Sequence, residues 1–365
     1  MTDKFSVLAA VGLAVIAVAS CGSSSSSTTT APAAATATQD AGCSPAGNLN
    51  FVCGLEAPED LVLLPSTSFL VASGMEPGSG LHLIDTRTKS AQSLTFVARP
   101  DAVRFAGCPG PLDPAAAVLH GLSLRPAEGS HHTLYATNHG GRESVEVFDL
   151  DTQGTTPSLT WIGCVVMPDM LPANSVAAFS DGALVATVLM MPGTGFDDVF
   201  AGRNTGAVFM WTPGTAGFRL LPGTELSGNN GIDTSPDDRE FYVASSGLKR
   251  IVAYSRSNPT KALRYAQLAE FAPDNVRWMN GQLVTAGMID AEPACGGAPK
   301  KPEDIRCPRG YVAAAVDPQS MKVTEIARGP AAAPYGGTAT AIQVGDDLWL
   351  SSFSADRLAW RSLRQ

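Results

Sequence analysis

Six polar positions recur along this chain ahead of similar apolar runs: Glu59, His120, Asn174, Asn230, the pair Asp274–Asn275, and Thr338, spaced 44 to 64 residues apart. The set is rich in carboxylate and amide oxygens and contains no thiol, a chemistry that suits a hard cation. Ca2+ takes about 6–8 oxygen ligands in flexible geometry, whereas Mg2+ demands a tight octahedron, so the set favours Ca2+. Glu59 and Asp274 would supply the balancing charge. A single Asn or Asp before a strand is ordinary turn chemistry; the recurrence of the whole set with a repeat is what points to a site.

The elements that must position these side chains follow from the runs behind them. From residue 58 onward the sequence shows short β-type runs broken by Gly, Pro, Asp and Asn, with no long segment of helical period. Six units read as polar residue, strand, turn, strand: LVLLPSTSFLVAS after Glu59-Asp60, GLSLRPAEGSHHTLYAT after His120, SVAAFSDGALVAT after Asn174, GIDTSPDDREFYVAS after Asn230, VRWMNGQLVTAG after Asp274-Asn275, and ATAIQVGDDLWLSS after Thr338. Each interval holds about four short strands, which predicts an all-β, six-bladed β-propeller with four-stranded blades over residues 43–365. In a propeller the innermost strands line a central channel, so equivalent positions at their mouths face one axial point. The Gly-rich segment 190–204, with Phe196 and Phe200, reads either as a loop over that mouth or as an ordinary exposed loop.

These motifs, in this order over roughly residues 54 to 363, resemble the paraoxonase and arylesterase branch of the six-bladed propellers, relatives of senescence marker protein 30 and gluconolactonase. The resemblance is carried by EDLVLLP at Glu59, HGLSL at His120, the NH of Asn138-His139 before SVEVFDLD, LPANSVAAF at Asn174, NNGIDTSPDDREFYVA at Asn230, and PDNV at Asp274-Asn275. It implies a catalytic calcium held by Glu59, Asn174, Asn230, Asp274 and Asn275, with a histidine pair, His120 and His139, beside it. It also implies a second, structural calcium on Asp60 and on an Asp following Asn174, but the chain has Ser175 there. A further family histidine would fall near Ser354, and the C-terminal cysteine that closes the family's propeller is missing.

The implied chemistry is water attack on an ester or lactone carbonyl polarised by Ca2+, with His120, assisted by His139, as general base; an imidazole of ordinary pKa near 6.5 suits proton transfer at neutral pH. His82, His131 and His132 receive no role. No G-x-S-x-G elbow or P-loop is present, so serine hydrolysis and nucleotide chemistry have no support. Two other readings stand beside the hydrolase of lactones or aryl esters. One is a sugar lactonase; the other is a non-catalytic propeller tethered to a membrane as a binding or assembly platform.

Composition and termini set the surroundings. The 365 residues include 36 Gly and 26 Pro and only 16% charged residues, against about 25% in an ordinary soluble domain. A net charge of −9 removes the electrostatic attraction on which non-specific nucleic-acid binding depends, so no nucleic-acid partner is expected. Residues 5–18 form a 14-residue apolar run behind Lys4, followed by Val18-Ala19-Ser20-Cys21. Residues 1–20 therefore read as a lipoprotein signal peptide with Cys21 as the lipidated residue, and the Ser/Thr/Ala-rich stretch 21–42 reads as a disordered tether. The expected location is an exported bacterial lipoprotein, anchored by its acyl chain and facing the periplasm or cell exterior. Six further cysteines in an oxidising compartment predict three disulfides: Cys43–Cys53 and Cys295–Cys307 as local loops, and Cys108–Cys164 as the remaining pair. A zinc site lacks both a C-x-x-C and suitably spaced histidines.

Overall fold

The computed structural model describes residues 43–364. The expected signal peptide 1–20, the lipidation site Cys21 and the tether 21–42 lie outside the described residues. The described chain is a six-bladed β-propeller, each blade built on a meander of four antiparallel strands. The innermost strands are Leu61–Leu63, Leu119–Pro126, Ala173–Ala178, Asn229–Thr234, Phe271–Met279 and Thr338–Val344. The four-stranded blades are those expected, and one of them carries an addition. Phe96–Ala98, on the way from the first blade to the second, pairs in parallel with the outermost strand Ser158–Val166 and makes a fifth. Its Phe96 ring meets Phe148 edge-on at 5.4 Å, so the extra strand is held by packing and also covers an otherwise open sheet edge.

The middle strands explain why the sequence runs are continuously apolar rather than alternating. Leu184–Val188 and Tyr311–Val316 are buried along their whole lengths, because blades stack face against face and both faces of a middle strand meet a neighbour. Closure uses no C-terminal bridge. The N-terminal strand Asn50–Cys53 forms the outermost strand of the last blade, antiparallel to Arg357–Ser362, and the Cys43–Cys53 disulfide pins the segment leading into it. Cys108–Cys164 and Cys295–Cys307 are also formed, giving the three expected pairs.

One local device positions the site. Five inner strands carry a β-bulge at the same place, between Leu119 and Leu122, Ala173 and Val176, Asn229 and Ile232, Pro273 and Val276, and Thr338 and Ala341. A bulge adds one unpaired residue and re-aims side chains, so each of these blades turns two consecutive residues toward the channel. In the first blade Glu59 and Asp60 occupy the same place, just before Leu61. Adjacent bulges approach closely enough to require glycine at two of them. A Cβ on Gly121 would lie 2.6 Å from the Asn174 carbonyl, and one on Gly231 would lie 2.5 Å from the Asn275 Cα. The HG and NG pairs in the sequence are thus packing requirements of neighbouring bulges.

Hydroxyls on the second strands lock the bulges in place. Thr137 Oγ1 accepts from Gly121 N at 2.8 Å and donates to the Asn174 carbonyl at 3.2 Å. Thr187 repeats the pattern, accepting from Ser175 N at 3.1 Å and donating to the Asn230 carbonyl at 2.5 Å. Ser351 does so between the last and first blades, from Thr340 N at 2.7 Å to the Glu59 carbonyl at 2.5 Å.

Candidate functional site

At one mouth of the channel the structure brings Glu59, His120, Asn174, Asn230 and Asp274 onto the floor of a single cavity of about 380 Å³. Asn275 lies just beneath, its Nδ2 donating to Glu59 Oε1 at 2.7 Å. Asn230 is held by donation from its own Nδ2 to Ser246 Oγ at 3.0 Å. All five residues expected to hold a metal are therefore gathered from four blades. Thr338, the sixth expected position, falls one residue short of its bulge. It lines the cavity, but its hydroxyl donates to the Tyr335 hydroxyl at 3.1 Å, and Thr340 is the residue that reaches inward from this blade.

Four oxygens of this floor are buried without a hydrogen-bond donor: Glu59 Oε2, Asn174 Oδ1, Asn230 Oδ1 and Asn275 Oδ1. A buried acceptor with no partner costs about 1–3 kcal/mol, so four in one place mark a floor shaped for something that takes oxygen lone pairs. The carboxyls agree. Burial, and then the charge of Asp60, push Glu59 well above the usual carboxylate range; burial, and then the charge of Glu59, do the same to Asp274. Two like charges out of water call for a cation between them. Among the described residues no group of three or more His, Cys, Asp or Glu is placed to hold a metal. The donor set here is two carboxylates and three amides, which fits Ca2+ and gives softer metals no imidazole or thiolate cluster.

The two expected histidines meet beside this floor. His120 Nδ1 lies 3.0 Å from His139 Nε2, the rings edge to face with centroids 5.3 Å apart, and His120 Nε2 lies 3.5 Å from Glu59 Oε2. Burial lowers the His120 pKa and keeps the ring neutral at ordinary pH. A third member was not anticipated from the sequence: Glu143, whose Oε2 is 2.7 Å from His139 Nδ1. It is placed by the turn that follows Asn138. Asn138 Oδ1 accepts from Gly140 N at 3.1 Å and its Nδ2 donates to the Arg142 carbonyl at 2.9 Å, folding Glu143 back onto the histidine.

The walls are apolar. The segment read as a loop forms a short helix, Phe196–Phe200, and Phe196, Val199 and Phe200 line the cavity. Ala298, Pro299 and Ile305 face it from the loop closed by Cys295–Cys307, and Met75, Leu189, Met288 and Phe353 add to the apolar lining, with Ser246 among the polar residues. Lys249 and Asp290 form an ion pair at the rim. Phe353 stands next to Ser354, near where the resemblance places a further histidine. A larger depression of about 880 Å³, over Asp237–Glu240 and Arg256, contains none of the floor residues, and two of its charges are paired, Glu240 with Arg264 and Arg239 with Asp237.

No family model matches the chain, and no curated protein matches it. Solved structures do. A luciferin-regenerating enzyme is 14% identical with a TM-score of 0.52, covering 86% of this chain and 93% of its own. The pyrroloquinoline-quinone-bound aldose sugar dehydrogenase of Streptomyces coelicolor is 15% identical with a TM-score of 0.50, covering 87% and 98%. Regucalcin, a calcium-binding protein of Agrobacterium tumefaciens, is 12% identical with a TM-score of 0.49, covering 84% and 90%. At these identities the likeness to the first two is one of fold.

Proposed function

We propose that the chain is a calcium-dependent hydrolase of lactones or aryl esters, of the paraoxonase and arylesterase kind. The observation that carries this reading is the cluster of four donor-less oxygens on Glu59, Asn174, Asn230 and Asn275, beside a neutral, cavity-facing histidine. Glu59, Asn174, Asn230, Asp274 and Asn275 would hold the ion, which when bound supplies a Lewis acid for a carbonyl oxygen and for the negative charge that develops on it.

The rest is the work of the chain's own residues. A carboxylate only accepts, so Glu143 fixes the proton of His139 on Nδ1. His139 Nε2 must then accept from His120 Nδ1–H, and the lone pair of His120 Nε2 is left facing the cavity. That is the tautomer a general base needs to take a proton from water. The apolar walls exclude bulk water and favour a substrate with an aryl or alkyl group.

The three disulfides are those of an oxidising compartment, which is consistent with the export read from residues 1–20. The deciding experiment is hydrolysis of a panel of aryl esters, lactones and phosphotriesters with calcium and with a chelator. Turnover that appears with calcium and is lost with chelator is the expected result. Calcium binding with no turnover of any panel member would leave the ion structural and the propeller a binding platform. The walls carry a separate expectation: replacing both Phe196 and Phe200 by alanine should raise KM for an aryl ester about tenfold with kcat changed much less, because the lost contacts are made equally before and in the transition state. Equal losses in kcat and kcat/KM would instead assign the helix to the chemical step.

A further inference from the structure

Below the floor lies a further buried carboxylate, that of Asp60, and both of its oxygens are fully engaged. Oδ1 accepts from Leu61 N at 2.7 Å and Thr340 Oγ1 at 2.7 Å; Oδ2 accepts from Leu122 N at 2.6 Å and from the Arg277 guanidinium. Arg277 is itself buried, 7% exposed, and donates further to the carbonyls of Leu61 at 3.3 Å, Val276 at 3.1 Å and Leu122 at 2.9 Å. The Asp60–Arg277 pair thereby ties together the first, second, fifth and sixth blades at the channel. Ser175, in the place of the second carboxylate expected for a structural calcium, has a buried hydroxyl without a partner and no charge to offer.

A divalent ion at Asp60 does not fit. It would share a carboxylate whose Oδ2 already contacts the Arg277 guanidinium, and it would have to displace donors from both oxygens. We propose that Arg277 is the resident cation of the lower channel, standing where a structural calcium would otherwise be needed, so that the chain binds a single calcium and folds without one. The single-ion part rests on the hydrolase reading of the upper floor; the assignment of Arg277 does not.

The test uses the full chain, and calcium itself as the probe. Calorimetric titration of chelator-stripped protein should saturate at one calcium per chain, and the stripped protein should keep its near-ultraviolet circular dichroism and a cooperative melt. Two calcium ions per chain, or unfolding on chelation, overturns the proposal. No bound calcium would remove the upper site and leave Arg277 to be judged by a second arm. Asp60→Asn and Arg277→Gln should each lower Tm by about 5 °C or more, since each strands a buried charge, while the double variant should melt above at least one of the singles. Additive losses in the double variant would show that the two side chains do not act as a pair. If a single variant fails to fold, the calcium stoichiometry and chelator resistance of the unaltered chain still decide.

Discussion

Glu59→Gln, and equally Asp274→Asn, should abolish calcium binding and calcium-dependent hydrolysis while making the ion-free protein more stable. Burial pushes both carboxyls up; the charge of Asp60 adds to the rise at Glu59, and the charge of Glu59 adds to the rise at Asp274. Either substitution removes half of the negative charge available to the ion, and with it the reason for a divalent cation to leave water. The same change relieves the ion-free fold of a buried charge. Gln at 59 keeps an acceptor for Asn275 Nδ2, which donates to Glu59 at 2.7 Å. Replacing buried charges by neutral groups of similar volume stabilises by about 1–4 kcal/mol in known cases.

The sign of the pH dependence follows. Folded carboxyls whose pKa lies above the unfolded value bind protons more tightly when folded, so ion-free stability declines as pH rises from the ordinary carboxylate range through the raised folded values. In each variant part of that decline should vanish. Calcium acts in the opposite sense on the unaltered chain, adding about 2.7 kcal/mol at a hundredfold excess over Kd, and this increment should be absent from the variants. Calorimetric melts at pH 5 and pH 8, with chelator and with calcium, read all of these at once. An ion-free Glu59→Gln protein that melts below the unaltered chain at pH 8, or that still gains Tm from calcium, would contradict the account.

The sequence makes the propeller legible because each blade repeats the same local problem. An inner strand needs a residue that turns into the channel, and a second strand buried on both faces needs a continuous apolar run, as in Leu184–Val188. Glu59, Asn174, Asn230, Asp274 and Asn275 could be picked out for the same reason: they recur at the repeat and sit on or beside its bulges. Residues placed by turns and insertions follow no period. Glu143 reaches His139 only because Asn138 folds the intervening turn, and Ile305 reaches the cavity only through a disulfide-closed loop. Arg277, two residues after Asn275 on the same inner strand, carries a signal that was available: an arginine on an innermost strand must find a buried acid, and Asp60 is that acid. Thr338 shows the reverse failure. In the last blade the bulge lies one residue beyond the repeat's leading polar position, so that Ala339-Thr340 rather than Thr338 occupies it.

His120→Gln tests the chemistry separately from the ion. His120 contributes none of the donor-less floor oxygens, and its position is held by His139 at 3.0 Å. Glutamine fills similar space and can bond to His139, but it offers no basic lone pair toward the cavity. Calcium affinity should therefore stay within about threefold of the unaltered chain, while kcat falls by about 10²–10⁴, the range that a general base supplies. Glu143→Gln should give a smaller loss in kcat, because a neutral amide can still accept from His139 Nδ1 but no longer enforces that tautomer. Nitrogen-15 shifts of the His120 and His139 rings distinguish this positioning role from simple packing: the unaltered chain should show the proton of His139 on Nδ1 and that of His120 on Nδ1, and Glu143→Gln should mix the tautomers without loss of fold. If His120→Gln keeps full turnover, the base is another group and the imidazole pair serves only to shape the floor. If His120→Gln loses calcium along with turnover, His120 belongs to the ion's own coordination, and proton transfer must be sought elsewhere along the cavity wall.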